Sequence, residues 1–206
     1  MSQFDIPEPF AIPFYDHGDS LAETIKNSSS RRKMSPFYFA YRKIRNIILY
    51  RLAFFCPLNS WRVKMHRWRG VHIGQHCHVA QQCSIDNAYP ELVFIEDYAG
   101  INQGTTIISH TNAGSFYEDI VPNIAAPVVV RHHALCAINT ILLPGSDIGE
   151  YSIVTAGSVV NHKIPPYSLA QGNPAKVIFN IERIIKRNIR HIEKRKQNEK
   201  DSQSEI

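Results

Sequence analysis

Histidine is the side chain in this sequence best suited to proton transfer near neutral pH, and His110 has the most informative position. It lies in the segment Ser109-His110-Thr111, where a regular apolar repeat stops, just before a stretch at 112–126 that lacks this repeat. An outward-pointing imidazole there could act as a general base, because its unperturbed pKa lies near 6.5. A lone exposed histidine often has no function, so position alone leaves this role open.

A group of neighbouring histidines and one cysteine raises the alternative of a metal site. These residues are His72, His76, Cys77 and His78, followed later by the adjacent pair His132 and His133. A catalytic zinc ion needs three converging ligands and an open fourth position. The repeat places Cys77 inward and the histidines on outer or corner positions, so they would converge only across a subunit boundary. We therefore expect no metal and keep a zinc enzyme as an alternative.

The segments that would position these residues follow a six-residue period. Large apolar residues recur at every sixth position in three runs, and mostly small residues follow them four positions later. The twelve large positions are Ile73, Val79, Ile85, Ile95, Ile101, Ile107, Val130, Cys136, Leu142, Ile148, Val154 and Val160. Such a short repeat is typical of a solenoid in which six residues form a flat strand and a corner. Three units close one triangular turn, so twelve units predict about four coils.

The composition is that of one globular domain. The chain has 206 residues, of which 44% are apolar and 20% charged, and no stretch has the pattern of a secretory leader or a membrane span. We therefore expect a cytoplasmic protein. Cys77, Cys83 and Cys136 fall on inward positions of the repeat, which predicts core residues rather than disulfides or metal ligands.

The repeat divides the chain into four regions. They are a flexible N-terminal segment at 1–34, a basic amphipathic helical hairpin at 35–70, the repeat domain at 71–173 with a protruding loop at 112–126, and a C-terminal helix and tail at 174–206. Ser35 and Pro36 have the residue types of a helix start, and Gly70 has that of a helix end. The apolar stripe of the first helix comprises Tyr41, Ile44, Ile48, Leu52 and Phe55.

The hairpin belongs to a strongly basic part of the chain. Between Arg31 and Arg69 there are eleven arginines or lysines and no aspartate or glutamate. One interpretation is that the hairpin packs over the end of the solenoid, which would otherwise expose an apolar coil. Another is peripheral attachment to an anionic membrane, where each basic residue near the surface contributes about 1 kcal/mol. No nucleic-acid-binding motif accompanies the charge, so we expect no nucleic acid partner.

Three segments late in the repeat resemble the coenzyme A-binding end of a known family, the hexapeptide-repeat acetyltransferases. They are NTILLPGSDIG, IVTAGSVV and IPPYSLAQGNPAKVI. The segment YPELVFIEDYAGINQGTTIISHTN is similar to the branch that O-acetylates polysaccharides and xenobiotics. Over residues 70–180 the resemblance implies an all-β core, a left-handed parallel β-helix and assembly as a homotrimer. It also implies acetyl-CoA as the cosubstrate.

The resemblance implies roles for individual residues as well. His110 matches the family's catalytic histidine, a general base for direct transfer without an acyl-enzyme. Cofactor contacts are implied for Ile138, Ala156, Gly157, Asn161, His162, Lys163 and Lys176. Asp86 and Asn87 are candidate acceptor contacts, and Glu118 in the loop could touch the acceptor or orient His110. For these three, a solvated loop residue is an equally good interpretation. Residues 130–137 depart from the family pattern, which affects the adenine end of the site.

These features predict an acetyl-CoA-dependent O-acetyltransferase that acts on a hydroxyl of a sugar or polysaccharide precursor. The resemblance implies a site between neighbouring subunits, and the basic hairpin suggests action at a membrane face. An antibiotic or serine is an alternative acceptor. A γ-type carbonic anhydrase and a non-catalytic β-helix scaffold are alternatives from other classes.

Overall fold

The computed structural model describes residues 2–12, 20–112 and 120–204. Its helices are α1 (Leu21–Arg31), α2 (Pro36–Phe55), α3 (Asn59–Arg69) and α4 (Glu182–Ser204). The first strands are β1 (Phe10–Ile12), β2 (His72–Ile73), β3 (His78–Val79), β4 (Ser84–Ile85), β5 (Val93–Ile95), β6 (Gly100–Ile101), β7 (Thr106–Ile107) and β8 (Asn123–Ala125). The later strands are β9 (Val128–Val130), β10 (Leu135–Cys136), β11 (Ile141–Leu142), β12 (Asp147–Ile148), β13 (Ile153–Val154), β14 (Val159–Val160), β15 (Lys163–Ile164), β16 (Ser168–Gly172) and β17 (Ala175–Asn180).

The short strands stack into three parallel sheets, which form the three faces of a β-helix. The first face contains β2, β5, β9, β12 and β15, the second contains β3, β6, β10, β13 and β16, and the third contains β4, β7, β11 and β14. Successive turns pair in register, so that Ile95 aligns with Val130, for example. Three strands make one turn, and the described strands therefore form four turns and part of a fifth. Parallel strands of this kind are what the six-residue period predicted.

The core consists of the residues that carry the period. All twelve large positions are buried, with exposures between 0 and 7%. Most of the positions four residues later are buried as well, and several hydroxyls among them bond to backbone carbonyls: Ser146 Oγ, for example, donates to Val160 O at 2.8 Å. Cys77, Cys83 and Cys136 are buried and free of disulfides, which confirms their prediction as core residues.

Helix α3 closes the N-terminal end of the coil with charged side chains. In each sheet, the first strand has carbonyl groups with no preceding strand to bond them. One arginine of α3 donates to such a carbonyl on each face. The three pairs are Arg67 Nε to Ile73 O at 3.0 Å, Arg62 Nε to Val79 O at 2.6 Å and Arg69 Nη2 to Ile85 O at 2.9 Å. These carbonyls are six residues apart, and leaving one buried and unpaired would cost about 1–3 kcal/mol.

Helix α2 has the predicted bounds but not the expected orientation. Ser35 caps it by accepting a hydrogen bond from Tyr38 N, and it ends before Cys56. Asn46 and Ala53 mark its buried side. The apolar stripe faces away from the protein, because Tyr41, Ile44, Ile48, Leu52 and Phe55 are 53 to 68% exposed. The hairpin does cap the coil, but it does so through the arginines of α3 and not through this stripe.

The N-terminal region differs from the predicted flexible segment. Helix α1 starts with a capping box, in which Ser20 Oγ accepts from Glu23 N and the Glu23 carboxylate accepts from Ser20 N. The Ser-x-x-Glu capping signal spans only four residues, so a search for a repeated spacing does not detect it. Strand β1 pairs antiparallel with β8, so the last part of the predicted loop is a strand. Residue Glu118 lies outside the described residues.

The C-terminal helix begins later than predicted. Residues from Ala175 form β17, which pairs antiparallel with β16 and covers the edge of the second face. The helix α4 starts only at Glu182. No helix in the described parts of the chain is both long and apolar enough to cross a membrane.

Candidate active site

His110 lies where the third face gives way to the loop. Ser109 is fully buried, and His110 forms an isolated bridge with Ala125 of β8. The imidazole is 27% exposed, and its centroid lies 5.4 Å from that of the Tyr89 ring. The surrounding strands therefore hold the backbone on both sides and leave part of the ring accessible.

The partner of His110 is the buried carboxylate of Asp86. Nδ1 of His110 lies 2.6 Å from Oδ2 of Asp86, and the same oxygen accepts from the N–H and the hydroxyl of Ser109, both at 2.8 Å. Oδ1 accepts from the amides of Ala88 and Tyr89 at 2.7 and 3.0 Å. Burial alone would raise the pKa of Asp86, but the hydrogen bonds from His110, Tyr89 and Ser109 outweigh burial and hold that pKa well below its usual range.

The charge on Asp86 fixes the tautomer of the imidazole. A carboxylate can only accept, so Nδ1 of His110 must be the donor in the 2.6 Å contact. In the neutral ring, the free lone pair then lies on Nε2. The arrangement leaves one nitrogen for proton transfer and uses the other to orient the ring.

This geometry corrects the prediction for Asp86. The resemblance suggested an acceptor contact, but the side chain is only 1% exposed and both its oxygens are bonded to protein donors. Asp86 is instead the residue that orients His110, which the sequence had left unassigned. The neighbouring Asn87 lies in the wall of a cavity beside His110.

That cavity has a volume of about 220 Å³ and lies between the coil and α2. Helix α2 contributes Phe39, Arg42, Lys43 and Asn46 to its wall. Arg42 Nη2 bonds to Oε2 of Glu91 at 2.6 Å, and Arg32, also in the wall, bonds to the other oxygen of Glu91 at 3.3 Å. The wall is therefore polar and basic, which suits an acceptor rich in hydroxyl groups.

A buried pair from α3 lies behind Asp86. Arg69 Nη2 donates to the carbonyl of Asp86 at 2.8 Å, and Nη1 lies 2.9 Å from Nδ1 of His66. Burial, followed by the charges of Arg69 and Arg62, lowers the pKa of His66 to about 3. Burial also lowers the pKa of Arg69 to about 10. Near neutral pH, His66 is therefore neutral and accepts a hydrogen bond from a charged Arg69.

The predicted cofactor contacts do not surround His110 within one chain. Ile138 and Gly157 share the corner between the second and third faces, where Gly157 N donates to Ile138 O at 3.0 Å. Ala156 lies on the same corner. His110 follows the third face and thus lies at the other end of its strands.

The remaining predicted contacts lie elsewhere on the coil. Asn161 and His162 follow β14 of the third face, two turns beyond β7, or about 10 Å at the usual strand spacing. Lys163 is in β15 on the first face, and Lys176 is in β17. A single chain therefore brings Asp86, His110 and Asn87 together but leaves the seven predicted cofactor contacts on other corners and strands.

Four of the five histidines considered as metal ligands make aromatic ring contacts, and some of these are stacked. The His72 ring lies 4.6 Å from that of Phe94, and His133 stacks on Tyr98 at 4.9 Å and Tyr151 at 4.7 Å. In the part of the chain that the structure describes, no group of three or more His, Cys, Asp or Glu side chains could hold a metal ion. Arg131, in the segment that departs from the family, makes a two-point ion pair with Asp147.

Sequence reasoning missed three features of the site. Ser109 lies outside the regular phase of the repeat, so its bonds to Asp86 were not foreseen. The cavity wall from α2, including Arg42, was not foreseen either. For Arg69, a signal existed: Arg62, His66 and Arg69 lie on one helical face, which is an unusual set of residues to point at a core.

The chain is similar in sequence to named acetyltransferases. The Bacillus subtilis (strain 168) protein YvoF, whose name assigns it to the acetyltransferases, is 24% identical over 145 residues, or 70% of this chain and 81% of YvoF. The dTDP-3-amino-3,6-dideoxy-alpha-D-galactopyranose 3-N-acetyltransferase of Aneurinibacillus thermoaerophilus is 43% identical over 56 residues, or 27% of this chain and 29% of that enzyme. No protein family model matches the chain.

Solved structures share the fold. A hexapeptide-repeat acetyltransferase from Vibrio cholerae O1 biovar eltor, complexed with acetyl coenzyme A, superposes with a TM-score of 0.58 and 19% identity, covering 70% of this chain and 90% of that one. A maltose O-acetyltransferase from Clostridium difficile 630 gives 0.55 and 22%, covering 69% and 88%. The sequence relatives are named acetyltransferases, which confirms the family resemblance of the motifs and supports an acyltransferase. The solved structures share the fold.

Proposed function

We propose that this protein is an acetyl-CoA-dependent O-acetyltransferase that modifies a hydroxyl of a sugar or polysaccharide precursor. The observation that carries the proposal is the 2.6 Å contact between His110 Nδ1 and Asp86 Oδ2 at the edge of a polar cavity. It supports a general base whose tautomer is fixed and whose protonated form has a charged partner.

In this mechanism, Nε2 of His110 takes the proton of the acceptor hydroxyl as the hydroxyl oxygen attacks the thioester carbonyl. A C–O bond forms and the C–S bond breaks when the tetrahedral adduct collapses. The proton then passes from Nε2 to the departing thiolate, so that the products are an acetyl ester and the thiol of CoA. Asp86 stabilises the intermediate imidazolium, and base catalysis of this kind contributes about 10²–10⁴ in rate.

The developing oxyanion requires a preorganised donor, and the amide of Ile138 is our candidate. Ile138 is 53% exposed on its corner, and its N–H makes no hydrogen bond within the described segments. A Cβ added at Gly157 would meet no atom within 4 Å, so the surface beside that corner is open to a pantetheine arm. We further propose Ala156, Asn161, His162, Lys163 and Lys176 as CoA contacts.

The separation of these residues from His110 supports a site shared between chains. Ile138 and His110 lie at opposite ends of the third face of one chain, and a second copy could bring the two ends together. We propose the homotrimer for this reason. The cytoplasmic location, the left hand of the coil and an acceptor contact from Glu118 remain predictions from sequence.

A second candidate is N-acetylation of an amino sugar. The Aneurinibacillus relative named above acetylates an amino group of a nucleotide-linked sugar, and the basic cavity around Arg32 and Arg42 suits a phosphorylated acceptor equally well. An amine and a hydroxyl both need a base that removes a proton during attack, so His110 would serve either reaction.

An acceptor screen tests the proposal. The full-length protein would be incubated with acetyl-CoA and a panel of saccharides, nucleotide-linked amino sugars, hydroxyl-bearing antibiotics and serine, while release of the CoA thiol is followed. We expect a sugar ester that hydroxylamine cleaves, and at least a 10²-fold lower rate for His110→Ala. An amide product would favour the second candidate. Undiminished turnover in His110→Ala, or zinc-dependent hydration of CO₂ without acetyl transfer, would contradict the proposal.

A further inference from the structure

The outer side of the helical hairpin is a large exposed apolar surface. On α2 it is formed by Phe37, Tyr41, Ile44, Ile48, Leu52 and Phe55, which recur at three- and four-residue spacing and are 53 to 85% exposed. At 100° per residue these side chains lie within about 80° of one another, opposite the buried Asn46 and Ala53. Such a stripe normally faces a protein core. Here it faces outward.

Helix α3 extends this surface with both tryptophans of the chain. Trp61 is 49% exposed and Trp68 is 55% exposed. Together with Leu52 and Phe55 they line an open apolar groove of about 680 Å³ between the two helices. Tryptophan and tyrosine are the residues that favour the boundary between lipid headgroups and acyl chains. We name these exposed side chains of α2 and α3 the outer apolar face.

The charge around the outer apolar face is entirely positive. The segment between Arg31 and Arg69 has no acidic residue, and several of its eleven basic residues bond to the coil or to Glu91 instead of facing outward. Arg51 and Lys64 are exposed beside this face, and neither of them forms a salt bridge with a described carboxylate. Lys64 Nζ lies over the Trp61 ring at 5.2 Å. Apolar and aromatic side chains flanked by unpaired cations complement a surface with an apolar interior and anionic headgroups.

We infer that the outer apolar face docks on an anionic lipid bilayer, with α2 lying in the plane of the interface. A second copy of the chain fits this face less well, because self-association through it would bring like charges together with no acidic residue inside the patch to offset them. The exposed basic side chains favour anionic headgroups, and the apolar side chains of α2 insert at the boundary between the headgroups and the acyl chains.

The same helix connects this surface to the candidate active site. Arg42 and Asn46 of α2 line the cavity beside His110, whereas Ile44 and Ile48 belong to the outer apolar face. A helix with side chains is about 10–12 Å across, so docking would place the cavity at the level of the headgroups. If the proposed transferase activity holds, the acceptor hydroxyl would then be reached on a lipid-linked molecule.

The two tryptophans make the test direct. Because Trp61 and Trp68 are the only tryptophans in the sequence and both lie on the outer apolar face, tryptophan emission reports on this surface alone. We expect a blue shift when the full-length protein meets phosphatidylglycerol-containing vesicles, and quenching by lipids brominated in their acyl chains. Pure phosphatidylcholine vesicles should give a weaker response. This measurement needs neither acetyl-CoA nor an acceptor, so its failure is distinct from failure of the proposed activity.

Variants separate the apolar and the charged contributions. Ile44→Ser/Ile48→Ser/Leu52→Ser should lower vesicle partitioning at least about tenfold, and Arg51→Gln/Lys64→Gln should lower it about five-fold per charge on anionic vesicles only. Ile178→Ser, at a site 53% exposed on β17, is the matched control and should bind as the wild type does. Absence of wild-type binding at low salt, equal binding by the triple variant, or a wild-type oligomer that the triple variant dissolves without any lipid binding would each overturn the inference.

Discussion

The two helices of the basic hairpin differ in which side chains face the coil and which face outward. Helix α3 turns its charges inward: Arg62 and Arg69 are 4% and 0% exposed and bond to the first turn of the coil. Helix α2 turns its apolar residues outward, with Ile44 and Ile48 more than half exposed. A hairpin that followed the usual amphipathic rule would reverse both assignments.

The difference follows from what each helix contacts. The end of a β-helix presents unpaired carbonyl groups, and arginine satisfies these better than leucine does because its guanidinium donates several hydrogen bonds. Helix α2 contacts the coil only through its inner side, where the Tyr50 hydroxyl lies 3.1 Å from Ser84 Oγ of β4 and Phe54 O accepts from Gln82 N, so its apolar stripe stays exposed. The fold therefore explains why the arginines of α3 face inward. The exposed apolar side chains of α2 are explained only by a partner outside this chain.

The variant with the largest expected effect replaces Asp86, the buried partner of His110. Asp86→Asn keeps the size of the side chain but removes the negative charge that fixes the imidazole tautomer, so kcat should fall about 10- to 100-fold. Steady-state kinetics on the identified acceptor would measure this effect. Vesicle binding should not change, and an unaltered kcat would contradict the role of Asp86.

Arg69 should connect the coil cap to catalysis more weakly. Arg69→Met removes the donor to the carbonyls of Ile85 and Asp86, and we expect about a fivefold to tenfold lower kcat with an unfolding free energy lower by about 1–3 kcal/mol. Arg67→Met is the matched control, because Arg67 caps the first face at Ile73 and lies away from Asp86.

The two arginine variants together distinguish positioning from stability. The control should lose stability and keep kcat, and Arg69→Lys, which retains the charge, should recover part of the activity. Equal losses of kcat in Arg67→Met and Arg69→Met would show that Arg69 acts on stability alone. Thermal unfolding and kinetics on the same preparations provide both quantities.

His66 should make stability depend on pH. Its pKa is lowered to about 3 in the folded protein, below the ordinary value of 6.5, so only the unfolded chain binds the proton in between. Stability is then full above pH 6.5 and falls by about 1.4 kcal/mol per pH unit below it, until the folded pKa is reached. Between pH 7 and pH 5 the loss is about 2 kcal/mol. Asp86 contributes in a lower window, because its folded pKa lies below the unfolded value near 3.9.

The substitution His66→Gln removes this dependence while keeping an acceptor for Arg69. Denaturant unfolding at both pH values should show a smaller loss in the variant than in the wild type. The exposed His78→Gln serves as control and should retain the wild-type slope. A wild-type slope in His66→Gln would show that other groups carry the acid sensitivity.

The sequence specified the coil far better than it specified the site. A residue that recurs every six positions must be buried for the strands to close, so Ile101 or Leu142 could be placed from the pattern alone. The partnership of Asp86 and His110 joins residues 24 positions apart through an irregular corner, and the period has no information there. The outward face of α2 was also beyond the pattern, because amphipathicity shows which residues share a face and not what that face meets.

The central claim is that His110 is the base for acetyl transfer, and one measurement tests it directly. Single-turnover acetylation by wild type and His110→Ala would be compared under conditions where calorimetry shows equal affinity for CoA. We expect the rate of the variant to be lower by about 10²–10⁴ with CoA binding unchanged. An unchanged single-turnover rate with equal CoA affinity would contradict the claim.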